Sequence, residues 1–190
     1  GITWQLGGSY EDQMDTFIDM GMLLVLMVIL VFVIMASQFE SLSYPFVIMF
    51  SLPFAIVGVL LGLWLSNTAL GVMGLLGVLM LVGIVVNNGI VLVDYTRLLI
   101  GRKMPIIDAA VAGGKSRLRP ILMTTLTTVL GMVPMAVGNG VGSEMWNSLG
   151  MVVAWGLSFS TLVTLFLIPV LFTWLSLRQE RKNAKKLLNA

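Results

Sequence analysis

Apolar residues run along this chain in blocks far longer than a half-buried strand or a surface helix needs. Residues 20–39 contain no Asp, Glu, Lys or Arg, and neither do 41–93, 120–143 or 145–177. A helix needs roughly 20 predominantly apolar residues to cross about 30 Å of hydrocarbon. The blocks predict five spanning helices, at 17–37, 45–66, 70–97, 119–137 and 145–177. The last is too long for one perpendicular span, so it is expected to tilt or to extend into water. Between the third and fourth spans, 105–115 reads as a short helix lying at the membrane surface. Outer-membrane barrels show short segments of alternating polarity, and that alternation is missing. The predicted fold class is all-α, a polytopic membrane helix bundle with five transmembrane helices over 17–177.

Prolines punctuate this pattern. Pro45, Pro105 and Pro120 fall near expected helix starts, where the missing N–H costs little. Pro53, Pro134 and Pro169 fall inside spans, where each removes a backbone hydrogen bond and bends its helix. Gly58 and Gly62 form a GxxxG pair, and glycines recur through the third span, which suits close helix contacts.

Composition agrees with a membrane protein. The chain is 58% hydrophobic and 11% charged, with a mean hydropathy of +1.00, against about 25% charged residues in soluble domains. It has no Cys and no His, which removes disulfides, thiolate metal sites and imidazole chemistry. Its 14 Met are scattered and read as apolar packing. There is no HExxH motif and no pair of carboxylates at mid-membrane depth, so an enzyme is not expected. Nor is a metal, a cofactor or a nucleic acid. The glycine-rich "GNGVGSEMW" at 138–146 lacks the lysine and the strand-to-helix setting of a phosphate loop.

Charge sets direction. All eleven Lys and Arg fall in two places: Arg97 to Arg119 around the third loop, and Arg178 to Lys186 in the tail. By the positive-inside rule both are cytoplasmic, which puts the N-terminus outside. Trp64 and Trp146 suit the outer interface, and Tyr44, Tyr95 and Trp174 the inner one. Residues 1–16, with Trp4 and Gly7-Gly8, read as the end of a domain folded outside, and 178–190 as a basic cytoplasmic tail. The chain is therefore expected to be the C-terminal piece of a larger polytopic protein.

The candidate chemistry lies in "GIVVNNGIVLVDY" at 83–95 and in the threonine-rich fourth span. Asn87 and Asp94 are seven apart and share a helix face with Gly83 and Val91. Arg117, Thr124, Thr128 and Gly131 share a face by the same rule. Asn87 lies about 15 Å inside Arg97 at the helical rise, and Thr128 at similar depth, so the two are level if these helices touch. Asn88 points about 100° away from Asn87 and reads as glue between helices. Thr125 and Thr127 are expected to bond their own backbone one turn back.

Four stretches resemble one family, the resistance-nodulation-division (RND) superfamily in its hydrophobe/amphiphile efflux branch. They are "SQFESLSYPFVIMFSLPFAIVG" (37–58), "GIVVNNGIVLVDY" (83–95), "RLRPILMTTLTTVLGMVPMAVGNGVGS" (117–143) and "LIPVLFTWL" (167–175). The resemblance covers nearly the whole chain. It implies the eighth to twelfth helices of a twelve-helix, proton-driven pump in the bacterial inner membrane. It also implies a homotrimer whose remaining helices and periplasmic domains come from the same polypeptide. In Gram-negative cells it implies a periplasmic adaptor and an outer-membrane channel. In this family two aspartates on the fourth helix, outside this chain, carry the proton. By position, the tenth-helix lysine of its best-known drug pumps falls on Asn87. The eleventh-helix arginine falls on Arg117 and the threonine on Thr124. Asn87 departs from that pattern: an amide donates hydrogen bonds to a carboxylate but forms no ion pair and does not titrate. The resemblance thus makes Asn87, Arg117 and Thr124 a polar centre, with Asn88, Asp94 and Thr128 in support. The alternative is a membrane assembly or protein-export accessory module built on the same bundle.

Overall fold

The computed structural model describes the backbone of residues 9–188 except 139 and 141, and the side chains of that range except those of 9, 10, 144, 179 and 181–188. These residues form six helices: α1 (Ser9–Phe39), α2 (Ser43–Met49), α3 (Leu52–Ser66), α4 (Val72–Gly101), α5 (Ile106–Val137) and α6 (Ser143–Leu188). Five stretches are long and apolar enough to cross a membrane: Glu11–Phe39, Ser43–Ser66, Val72–Gly101, Ile106–Val137 and Met145–Arg178. The all-α, five-span reading of the sequence is what the chain adopts.

The boundaries differ from the sequence pattern for local reasons. Helix α1 starts at Ser9 rather than 17. Glu11 and Asp12 sit in its first turn, where the helix dipole favours negative charge, and the Thr16 hydroxyl donates to Asp12 O at 2.7 Å. Part of the expected outside domain is thus helix, while Trp4 and Gly7-Gly8 lie outside the described residues. The second span is two helices, not one. Pro53, in the first turn of α3, has no N–H to continue the ladder from α2. Ser51 bridges the break, its hydroxyl donating to Ile48 O at 2.6 Å. The expected surface helix at 105–115 is not separate, because α5 runs unbroken through Pro120. Lys115 to Arg119 are helix-compatible residues, and one proline removes only one ladder bond. Helix α6 likewise carries the basic tail on as helix to Leu188.

Turns close on residues that tolerate left-handed backbone. Asn67 caps α3 at φ 51° and donates its N–H to carbonyls of the last turn, a role that asparagine fills when glycine is absent. Between α5 and α6, Ser143 Oγ donates to Gly140 O at 2.7 Å and accepts from Gly140 N at 3.0 Å.

Helix α6 is the spine, packing against α5, α4 and α3. Glycines let the backbones meet. A Cβ on Gly150 would lie 2.7 Å from Ala136 N, and one on Gly58 2.7 Å from Phe159 Cβ. Gly62 and Gly156 leave equally little room, against Trp155 and against Leu81. With the core already apolar, close packing of this kind is what holds membrane helices together. Around the spine, Met35, Phe39, Ile48, Leu81, Leu157, Ile168 and Phe172 are buried almost completely. Helix α1 touches α2 and α4 only at its flank, and no residue of its most apolar stretch is buried.

Candidate functional site

The structure puts the two asparagines of α4 in different surroundings. Asn87 is exposed, as are Asp94 and Thr124, while Thr128 and Arg117 are half-buried. Helices α4 and α5 do pack against each other, but the sequence-read residues are not drawn into one hydrogen-bonded cluster. The Thr124 hydroxyl donates to Ile121 O at 2.9 Å and Pro120 O at 3.2 Å, and Thr128 donates to Thr124 O at 2.9 Å. The Asn87 amide bonds to no described residue.

Arginines at the basic end sit on aromatic rings. Arg117 lies 4.6 Å from the centroid of Tyr95, with the Ser116 hydroxyl 3.5 Å from Tyr95 Oη. Arg97 lies 4.9 Å from the Tyr44 ring and 5.4 Å from Phe39, and Tyr44 in turn stacks on Phe172 at 5.3 Å. Arg178 lies 5.2 Å from Trp174. Each such contact is worth about 0.5–2 kcal/mol, more where water is excluded. These rings anchor the guanidinium groups at one end of the bundle. Arg117 Nε is buried with no hydrogen-bond partner among the described residues.

Sequence reasoning missed the second polar surface. Asn88 is half-buried and shares a small pocket with Val85, Ile121, Ser160, Thr161 and Thr164. Thr125 does not bond its own backbone as expected. Its hydroxyl lies 3.1 Å from that of Thr161, across the α5–α6 contact. Ser160 and Thr164 are buried hydroxyls with no hydrogen-bond partner. An unsatisfied buried group of this kind costs about 1–3 kcal/mol. One signal was present in the sequence: Ser160 and Thr164 are four apart in the charge-free stretch 145–177, hence on one face.

Five membrane-length stretches packed on a glycine-lined α6, with buried hydroxyls inside and positive charge at one end, define a multi-pass membrane protein. The chain belongs to the AcrB/AcrD/AcrF family of RND efflux transporters, whose model matches residues 1–176. It is 36% identical over 182 residues to the swarming motility protein SwrC of Bacillus subtilis, covering 95% of this chain and 17% of SwrC. It is 33% identical to the cobalt-zinc-cadmium resistance protein CzcA of Cupriavidus metallidurans, over 90% of this chain and 16% of that one. To the multidrug export protein AcrF of Escherichia coli it is 34% identical, with the same coverage. A crystal structure of a heavy metal efflux pump superimposes with a TM-score of 0.79 at 31% identity, over 89% of this chain and 16% of the pump. The chain thus spans about one sixth of the length of the relatives it matches.

Proposed function

We propose that this chain is the C-terminal transmembrane part of a proton-driven RND efflux pump of the inner membrane, exporting hydrophobic or amphiphilic compounds. Its work is transport, not catalysis. The exposure of Asn87 and Thr124 supports the reading, in which that face meets proton-carrying carboxylates from another helix of the same protein. There Asn87 donates to a carboxylate, and Arg117 adds positive potential from the basic end. Donors of this kind favour the charged carboxylate and burial opposes it, which is the balance a proton site needs near ambient pH. In this reading the full pump is a trimer and, in a Gram-negative cell, works with a periplasmic adaptor and an outer-membrane channel.

A second reading, export of divalent metal cations, is favoured by the similarity to CzcA and to the heavy metal efflux pump. The full-length protein, expressed in cells stripped of their own pumps, separates the two. Amphiphilic cargo predicts resistance to dyes and solvents, lost when an ionophore collapses the proton gradient. Resistance to cobalt, zinc and cadmium, with none to dyes, would establish the second reading instead.

A further inference from the structure

Ser160 and Thr164 depart from the habit of six of this chain's helix hydroxyls. Ser66, Thr96, Thr124, Thr128, Ser158 and Thr173 each donate to a carbonyl three or four residues back. Ser160 and Thr164 donate to nothing, as does Ser176 nearer the basic end. Ser160 and Thr164 are one turn apart on α6 and line the same pocket as Asn88 and Thr161. Asn88 bonds to no described residue, and Thr161 is tied only to Thr125. Three helices thus bring a carboxamide and four hydroxyls to one place, and a single bond is made among them. Their combined donors and acceptors far exceed that one bond. Buried groups of this kind are ordinarily satisfied by ordered water, yet this pocket is too narrow to admit one.

We propose that Asn88, Thr125, Ser160, Thr161 and Thr164 form a water-binding site between α4, α5 and α6. It is closed in this packing and fills when the basic-end half of α6 moves away from α4 and α5. The build of α6 permits that motion. Toward the α5–α6 turn it is clamped by contacts with backbone or Cβ atoms: Gly150 on Ala136, Trp155 on Gly62 and Phe159 on Gly58. These clamps stop at Phe159, one residue before the first unpartnered hydroxyl. Beyond Thr164, Pro169 lies inside α6 and withholds one ladder bond. This half is held by side chains rather than backbone: the end of Ile168 would lie 3.2 Å from a Cβ on Gly89, and Phe172 stacks on Tyr44. Water entering the pocket would satisfy both orphaned hydroxyls and Asn88 together.

The test uses the full-length protein, free of other cysteines, in native membranes. Ser160→Cys and Thr164→Cys are expected to react with a small aqueous methanethiosulfonate about tenfold faster than Leu157→Cys in the dry core. Rates no faster than at Leu157, or reaction at only one of the two positions, would overturn the site. This arm needs no transport, so it stands apart from the efflux reading. A second variant, Thr164→Val, removes an unpaired hydroxyl at nearly constant shape. It is expected to slow transport about tenfold while thermal stability stays equal or rises. Unchanged transport, or a loss of stability, would show that the hydroxyl only packs.

Discussion

A carboxamide in hydrocarbon is costly unless something meets it, because each unbonded polar group there forfeits its hydrogen bonds to water. One residue's step turns a helix by about 100°, so Asn87 and Asn88 point to different surroundings. Asn87 faces out of the described bundle, and Asn88 faces the hydroxyls of α6. The seven-residue spacing put Asn87 and Asp94 on one face, and both are exposed, but the spacing did not say which way that face points. The setting of Asn88 was not legible either, because its partners lie some 70 residues on and depend on how α6 is set against α4. Thr125 shows the same limit. Its carbonyl one turn back, Ile121 O, already accepts the Thr124 hydroxyl at 2.9 Å, and Thr161 offers a partner across the helix contact. Local rules identify the competing partners of a hydroxyl. Tertiary packing selects among them.

Helices were legible from charge-free length, and their ends less so. The break at Phe50–Ser51 and the continuity through Pro120 depend on which freed groups find partners nearby, information spread over several residues. Helix pairing was foreshadowed by glycines but not specified by them: Gly58 and Gly62 meet α6, whereas Gly131, in the same kind of apolar span, has nothing within 4 Å of where a Cβ would lie. This contrast gives a direct prediction. Gly150→Ala puts a methyl 2.7 Å from Ala136 N and 2.9 Å from Ala136 Cα, where backbone must yield. It is expected to destabilise the bundle by about 1–3 kcal/mol, read as a lower unfolding temperature in detergent. Gly131→Ala is the control and is expected to be neutral or to stabilise by about 0.5–1 kcal/mol through helix propensity. Equal effects at the two positions would mean that α5 and α6 do not meet as described.

Across the bundle, positive charge gathers at one end, where Arg97, Arg117 and Arg178 are held on aromatic rings. We propose that this end is cytoplasmic and the α5–α6 turn periplasmic, following the positive-inside rule. A cysteine replacing Gly140 is expected to be labelled by an impermeant thiol reagent from the periplasm, and one replacing Asn183 to be protected until the membrane is opened. The reverse pattern would invert the bundle. In the proposed reading coupling belongs to the full-length pump, where Asn87 would meet its carboxylate; the chain itself spans about one sixth of its relatives' length. The most direct measurement is therefore efflux by the full-length pump carrying Asn87→Leu, with its amount in the membrane held equal to wild type. Loss of efflux with normal insertion is the expected result. Efflux at the wild-type rate would contradict the polar-centre role of Asn87 and leave it a packing residue.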